Sequence, residues 1–240
     1  HEFNETRGER LSRRLQAAFA LAEIIPGMRV LDVGCGRGEI LRHCTRLGAH
    51  ACGVDYAPAA VSIAREGSGE NTVTENPVSR ADAKALPLPD EEFDRVLLFD
   101  VVEHLFPWEL QQALLEARRV MKPDGLLAVH TAPNAWYDRY AYPFVRLFRI
   151  LCGQGAAYPA NPRALNVAAN VDVHVNEQSA LSLWLALRRA GFRGRVWLQN
   201  PPQNRREPAL LAALRRVLFA WPPFRWFFQR EVFAVAWRVT

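Results

Sequence analysis

A glycine-rich turn flanked by two acids is the stretch of this 240-residue sequence that is best suited to bind a ligand. Gly34, Gly36 and Gly38 follow an apolar run, with Asp32 before them and Glu39 after them. Glycine permits a sharp turn and a close approach of the backbone to a ligand, and the N-terminus of a following helix would point there. We therefore expect free backbone N–H groups and a bound molecule at this turn.

The two common phosphate-binding motifs do not fit the turn. A dinucleotide fingerprint, G-x-G-x-x-G/A, read from Gly34 has Glu39 at its sixth position, where the carboxylate would repel a pyrophosphate. A P-loop requires a Lys-Ser/Thr pair, and none follows. A buried acid such as Asp32 is costly unless it accepts hydrogen bonds from loop amides or a ligand ammonium group. The turn therefore favours a cofactor with an adenosine and an amino-acid end but no phosphate.

The segment "DVGCGRG", residues 32–38, resembles motif I (D-x-G-x-G-x-G) of class I S-adenosylmethionine-dependent methyltransferases. Further likenesses follow in the family's order between Arg29 and Pro133: "GVDYA", "SRADA", "FDRVLLFDVVEHL" and "MKPDGLLAV". The resemblance is closest to small-molecule methyltransferases similar to those of ubiquinone biosynthesis. It implies S-adenosyl-L-methionine as cofactor and S-adenosyl-L-homocysteine as product, with Asp55 gripping the ribose hydroxyls. The cofactor-binding residues that it implies are Asp32, Gly34, Cys35, Gly36, Gly38, Asp55, Tyr56, Asp82, Ala83, Asp100 and Val101.

Three histidines are candidates for a general base. Methyl transfer from a sulfonium is an in-line displacement, and a histidine can remove the proton of a hydroxyl acceptor near neutral pH. His104 follows the fourth strand, His130 lies within the fifth, and His174 stands where Asp172 and Glu177 could orient it. Each histidine also has a structural interpretation, as a packing residue or a hydrogen-bonded core residue. No set of residues has metal-ligand spacing, so we expect no metal.

The elements that must position these residues alternate along the chain. Short β-rich runs alternate with helical patterns up to Pro133, which predicts an open, doubly wound α/β sheet with parallel strands and right-handed crossovers. The strong helix "SALSLWLALRRAGF" is followed by two closing strands, "RVWLQN" and "EVFAVAWRV". The family resemblance implies a Rossmann-like sheet of seven strands, mostly parallel, with the last strand antiparallel and helices on both faces.

The chain is interpreted as a single methyltransferase domain in four parts. Residues 1–25 form an N-terminal helix or cap, 26–133 the cofactor-binding core, 134–176 an acceptor lid and 177–240 the part that closes the sheet. The lid has no clean period and mixes aromatic residues with arginines, which suits an aromatic, sugar or anionic acceptor, or a cover that merely packs on the sheet. A second aromatic and basic stretch, "WPPFRWFFQR", suits either a peripheral membrane contact or a hairpin at the sheet edge.

Composition places the protein among ordinary globular proteins. It is 50% hydrophobic and 23% charged, with a net charge of +5 that we attribute mainly to a solvated, arginine-rich surface. Four cysteines without a CxxC pair indicate reduced thiols. No run of about 18 apolar residues and no signal peptide is found, so we expect a cytoplasmic protein.

These features predict an enzyme that methylates a small-molecule or glycan-like acceptor, at a hydroxyl oxygen, with histidine-assisted deprotonation. Two alternatives stay open: an NAD-dependent oxidoreductase, which Glu39 and Asp32 disfavour, and a non-catalytic relative that binds the cofactor. Nucleic acid is disfavoured as a partner because no RNA-binding module accompanies the aromatic residues. The oligomeric state is left open.

Overall fold

The computed structural model describes residues 11–66, 77–165, 170–200, 217 and 221–239, and a seven-stranded sheet lies at their centre. The strand order is β3-β2-β1-β4-β5-β7-β6. The strands are β1 (Arg29–Val33), β2 (His50–Asp55), β3 (Val78–Arg80), β4 (Phe93–Phe99), β5 (Met121–Thr131), β6 (Phe192–Gln199) and β7 (Glu231–Arg238). The first five are parallel to one another, whereas β7 is antiparallel to both β5 and β6. The predicted sheet is confirmed.

Helices cover both faces of the sheet. They are α1 (Arg13–Leu21), α2 (Glu39–Arg46), α3 (Pro58–Glu66), α4 (Pro107–Val120), α5 (Tyr142–Leu151), α6 (Asn170–Val173), α7 (Ala180–Arg189) and α8 (Phe224–Phe228). Shorter turns are the 3-10 turns Val102–His104, Gly155–Ala157 and Pro162–Leu165, and a π-helix spans Tyr137–Ala141. No helix among the described residues is long and apolar enough to cross a membrane.

Alternation along the strands divides the core between the two faces. Leu31 and Val96 belong to one buried cluster, which is closed by α4 and α7. Val30 and Leu97, their neighbours in sequence, belong to a second cluster, which is closed by α1, α2 and α3. Because successive side chains of a strand point to opposite faces, a parallel sheet that is buried on both faces favours continuous apolar runs; β4 has one over residues 96–99, whereas Asp32 interrupts the run of β1.

The carboxyl ends of β1, β2 and β4 meet at one edge. Val33 is paired with Val54 of β2 on one side and with Leu98 of β4 on the other. The crossover direction reverses between β1 and β4, and ligands of open α/β sheets bind at such a point. The residues that follow these three strands are the predicted cofactor residues, so the fold brings them together.

Two boundaries differ from the sequence prediction. The N-terminal helix was predicted over Arg10 to Ile25 but is the shorter α1, which is capped by the Ser12 hydroxyl as it accepts from the Leu15 amide. The fifth strand begins at Met121 instead of Gly125. The third strand, β3, lies within the predicted range 71–82, of which residues 71–76 lie outside the described part. The lid, whose sequence has no clean period, contains the π-helix and α5.

Candidate active site

The glycine turn links the end of β1 to the start of α2. Gly34, Gly36 and Gly38 have φ of +75°, +52° and +74°, a region that side chains disfavour. A Cβ atom on Gly34 would lie 2.4 Å from Cγ2 of Val101, the second residue after β4. Gly34 is therefore fixed by a close approach as well as by its backbone angle. Val101 and the glycine turn, predicted separately, are in contact.

The amides of the turn are already occupied, which corrects the expectation that they are free. The amides of Gly34 and Cys35 donate to the Val54 carbonyl, at 2.8 and 3.0 Å. The Gly36 amide donates to Oδ2 of Asp55 at 2.9 Å. The Asp55 carboxylate thus fixes the conformation of the turn. Burial raises the pKa of the Cys35 thiol, so this thiol stays protonated.

Asp32 is a buried acid without a cationic partner. It is buried, no basic side chain within the described ranges pairs with it, and burial together with the charge of Asp55 raises its pKa to about 7. Two carboxylates therefore face the same turn, one from β1 and one from β2. A cationic ligand group would relieve the cost of ionising Asp32.

Tyr56, Asp82 and Ala83 lie after β2 and β3. Tyr56 is exposed, and Ala83 packs on the core cluster that holds Leu31. Oδ1 of Asp82 accepts from the Lys84 amide at 2.9 Å, and its Oδ2 lies 3.2 Å from the Lys84 ammonium. Asp82 is thus fixed in a turn while its carboxylate stays partly accessible.

Asp100, the first residue after β4, has an unusual backbone conformation. A chain of charges, made of consecutive ion pairs, fixes its side chain. Its φ is +56°, uncommon for a residue other than glycine. Its Oδ1 lies 2.7 Å from Nδ1 of His130, and its Oδ2 lies 2.9 Å from the Arg14 guanidinium. The other nitrogen of the His130 ring lies 2.7 Å from Oε2 of Glu231 in β7. The chain of charges runs from α1 through β4 and β5 to β7.

His130 is a charged core residue in this arrangement. Its side chain is fully buried, and burial lowers its pKa, but the carboxylates of Asp100 and Glu231 outweigh that effect and raise the pKa to about 9. The same pairing lowers the pKa of Asp100 in spite of its burial. Both ring nitrogens are engaged, so His130 offers no free lone pair to an acceptor. The hydrogen-bonded core interpretation fits it better than that of a base.

His104 and His174, 70 positions apart in the chain, lie against each other. Their ring centroids are 5.0 Å apart and the rings are nearly perpendicular. Nδ1 of His104 lies 3.1 Å from the Val173 carbonyl, and in the neutral ring an Nδ1–H that donates to this carbonyl leaves the lone pair on Nε2. His174 is buried, and burial and the neighbouring His104 lower its pKa. The structure therefore joins two of the three candidate bases in one pair.

Glu103 is a residue of this site to which sequence reasoning gave no role of its own. Its carbonyl accepts from the amides of Val175 and Asn176, at 2.9 and 3.1 Å, which brings the His174 segment to His104. Its carboxyl group is buried and accepts from the Thr131 hydroxyl at 2.7 Å. Burial and the Asp100 charge raise its pKa to about 8. An acid within the apolar run "VVEHL" was the available signal.

The two residues that were predicted to orient His174 lie in different surroundings. Asp172 is exposed. Glu177 lies near the ring, with Oε1 3.9 Å from Nδ1 of His174, but its two carboxylate oxygens accept from Nε and Nη2 of Arg163, at 2.6 and 2.8 Å. Nδ1 of His174 is buried and has no hydrogen-bond partner among the described residues.

The same region contains a set of side chains that could hold a divalent metal. Glu103, His104 and His174 can each direct one ligand atom so that all three atoms lie within 4.8 Å of one another. Histidine nitrogens and a carboxylate suit zinc and other transition metals. Sequence spacing hides this set, because His174 comes from a distant segment. The expectation of a metal-free protein stays a prediction.

The lid and α8 line an aromatic cavity of about 580 Å³ that is open to solvent. Its lining is apolar and comes from the π-helix, from the residue before it, from α5 and from α8. The lining residues are Trp136, Tyr140, Ala141, Phe144, Phe227 and Phe228. The sequence predicted an aromatic lid and a separate aromatic stretch, and the structure brings the two together.

The comparisons with known proteins agree with this site. Residues 31–129 match a family described as "Methyltransferase domain". Together with the strand order and the glycine turn, this match supports the class: residues 31–129 carry a methyltransferase domain, and solved S-adenosylmethionine-dependent methyltransferases share the fold of the chain. The resemblance and the cofactor that it implied are confirmed.

Individual relatives narrow the class. The chain is 33% identical over 135 residues to the ubiquinone biosynthesis O-methyltransferase of Cereibacter sphaeroides, over 55% of this chain and 53% of the relative. It is 29% identical over 191 residues to the demethylmenaquinone methyltransferase of Tropheryma whipplei, over 76% and 73%. The chain therefore spans about half the length of the first relative.

Solved structures support the fold. The S-adenosylmethionine-dependent methyltransferase of Mesorhizobium loti superposes with a TM-score of 0.64 at 18% identity, over 95% of this chain and 98% of the other. The methyltransferase of Archaeoglobus fulgidus gives 0.61 at 20% identity, over 99% of both. At these identities the likeness establishes the shared fold.

Proposed function

We propose that this protein transfers a methyl group from S-adenosylmethionine to a hydroxyl oxygen of a small-molecule or glycan-like acceptor. The observation that carries the proposal is the short path from the glycine turn to the histidine pair. Val101 contacts Gly34, and the His104 amide donates to the Val101 carbonyl at 3.0 Å, so His104 stands one turn away from the cofactor residues. The names of the relatives, one of them an O-methyltransferase, support oxygen as the methylated atom.

The acids of the turn fit the cofactor. Asp32, whose ionisation is opposed by burial and by Asp55, would be ionised by the ammonium of the cofactor's amino-acid end. Asp55 can exchange its hydrogen bonds to the Gly36 and Ala57 amides for the ribose hydroxyls. When bound, the cofactor would supply a methyl group on a sulfonium sulfur; the acceptor oxygen would bond to the methyl carbon as its bond to sulfur breaks, and the sulfur would leave as the thioether S-adenosylhomocysteine. The protein's part is to orient the acceptor and to take its proton.

His104 is the proposed base. Its Nδ1–H donates to the Val173 carbonyl, which leaves the Nε2 lone pair for the hydroxyl proton, and the side chain is exposed. The ring of His174 packs nearly perpendicular to the imidazole of His104, and burial together with His104 lowers the pKa of His174. In this proposal His130 acts through Asp100 as a positioning residue.

Calorimetric titration with S-adenosylhomocysteine tests the cofactor half of the proposal. The wild-type protein is expected to bind it, and Asp55→Ala is expected to weaken binding at least tenfold, since two charge-assisted hydrogen bonds are lost, each worth about 1.5–3 kcal/mol. Asp124→Ala, which removes an exposed acid outside the site, is the matched control. A wild-type protein that binds NADH and not S-adenosylhomocysteine would overturn the proposal.

The base is tested by the pH dependence of turnover, measured as S-adenosylhomocysteine formation with catechol and simple hexoses as acceptor probes. His104→Ala should lower kcat about 10²-fold or more and remove the acid limb of the profile, which is the scale of general base catalysis. His50→Ala, at an exposed histidine, should leave both unchanged. If His104→Ala kept the pH dependence of turnover of the wild-type protein, a group other than His104 would have to take the proton.

A further inference from the structure

Helix α5 exposes an apolar stripe to solvent. Phe144, Leu147, Phe148 and Leu151 follow one another at intervals of three, one and three residues, so they share one face of the helix. Phe144 is 71% exposed and Leu151 is 78% exposed. A helix of a globular protein buries such a stripe, and exposed apolar patches of this kind mark binding surfaces.

A second set of exposed apolar side chains stands beside this stripe. Trp221, Phe224 and Trp226 are exposed, and Trp221 is 67% exposed. Helices α8 and α5 both contact the π-helix and both line the aromatic cavity, so the two sets lie on the same part of the molecule. We call the α5 stripe and these three residues the apolar face.

The two segments that carry the apolar face have charges of one sign. Residues 139–165 and 221–230 contain no Asp or Glu. The arginines within them include Arg139, Arg146, Arg149 and Arg225, and none of these four makes an ion pair with a described residue. Arg146 and Arg149 stand on α5 itself, two residues after the exposed Phe144 and two residues after the exposed Leu147. The face therefore combines large apolar side chains with uncompensated positive charge.

We propose that the apolar face docks on the surface of a bilayer that contains anionic phospholipid. Tryptophan, phenylalanine and leucine can enter the boundary between head groups and acyl chains, while arginines bind the phosphates above them. A second copy of the chain is a poorer occupant, because a symmetric contact would bring the arginines of one copy against those of the other. The docking is independent of the acceptor and of the proposed methyl transfer.

Sedimentation with vesicles tests this surface. The wild-type protein should bind vesicles of phosphatidylcholine mixed with phosphatidylglycerol, should bind phosphatidylcholine alone much more weakly, and should be released by salt. Arg146→Gln with Arg149→Gln should lower partitioning about 25-fold, about fivefold for each arginine. Phe144→Ser with Leu147→Ser should also lower it, because apolar insertion is lost.

The matched control removes two arginines from another helix. Arg188→Gln with Arg189→Gln, on α7, should change partitioning by less than about twofold, since α7 packs on β6 and α4, away from the apolar face. Circular dichroism and binding of S-adenosylhomocysteine establish that each variant is folded. Absence of wild-type binding to anionic vesicles overturns the proposal, and so does equal binding to both vesicle types. A dimer in light scattering that Phe144→Ser with Leu147→Ser dissociates would assign the face to a second copy instead.

Discussion

Replacing His130 by glutamine is the most direct test of the buried chain of charges. In the wild-type protein the imidazolium lies 2.7 Å from a carboxylate oxygen of Asp100 and 2.7 Å from one of Glu231. Glutamine can keep one hydrogen bond but removes the positive charge between two acids. The breaking of a buried charge pair is costly because it leaves the partner uncompensated.

The pKa of His130 gives the size and the sign of the effect. It rises from 6.5 to about 9 on folding, and at about 1.4 kcal/mol per pH unit this corresponds to about 3 kcal/mol. Because the folded protein holds the proton more tightly, this stabilisation is fully present below pH 6.5. It is lost as the pH rises through about 9.

Urea unfolding at pH 6 and at pH 9.5 measures both quantities. At pH 6, His130→Gln should be less stable than the wild-type protein by about 3 kcal/mol, and the difference should narrow at pH 9.5. The raised pKa values of Glu103 and Asp32 also make the folded protein less stable as the pH rises, but this loss occurs in both proteins. His50→Gln, at an exposed histidine, is the control. A constant difference between wild type and His130→Gln at the two pH values would refute the reasoning.

Three further expectations concern the site. Gly34→Ala, whose Cβ would meet Val101 at 2.4 Å, should weaken S-adenosylhomocysteine binding at least tenfold by calorimetry, whereas Gly153→Ala, with a similar φ of +73° but open space around it, should not. The raised pKa of Glu103, about 8, makes the folded protein less stable as the pH rises towards that value, and Glu103→Gln removes the titrating group. The melting temperature of Glu103→Gln should therefore fall less between pH 6 and pH 9 than that of the wild-type protein. An equal fall in both proteins would contradict the assigned burial effect. Treatment with EDTA should leave methyl transfer unchanged, and a loss that Zn²⁺ restores would assign the Glu103 and histidine cluster to a cation.

The parts of the fold and site that the sequence could predict are local in the chain. Asp32 lies within β1, Asp55 ends β2 and the glycine turn follows β1, and each needs only its own neighbours in sequence to be recognised. The mostly parallel, seven-stranded sheet could be predicted from the alternation with helices and from the family resemblance.

The rest depends on pairs that are distant in the chain. His130 meets Glu231 across 101 positions, and His104 meets His174 across a segment without a periodic pattern. No spacing rule connects such residues, so burial and protonation could be assigned only from the structure. The lid lacked a helical pattern because α5 has apolar side chains on its exposed side as well as the buried Tyr142.

The position of β7 between β5 and β6 affects the order in which the strands of the sheet can pair during folding. The parallel strands β4 and β5 are joined by a 3-10 turn and α4 and can pair early, but β7 closes a loop of about one hundred residues before it pairs with β5. Until β7 is in place, His130 lacks Glu231, and Asp100 is held at its unusual φ by fewer contacts. Folding and the readiness of the cofactor site are thereby coupled: a partly folded chain that already has its glycine turn still lacks the support behind Asp100.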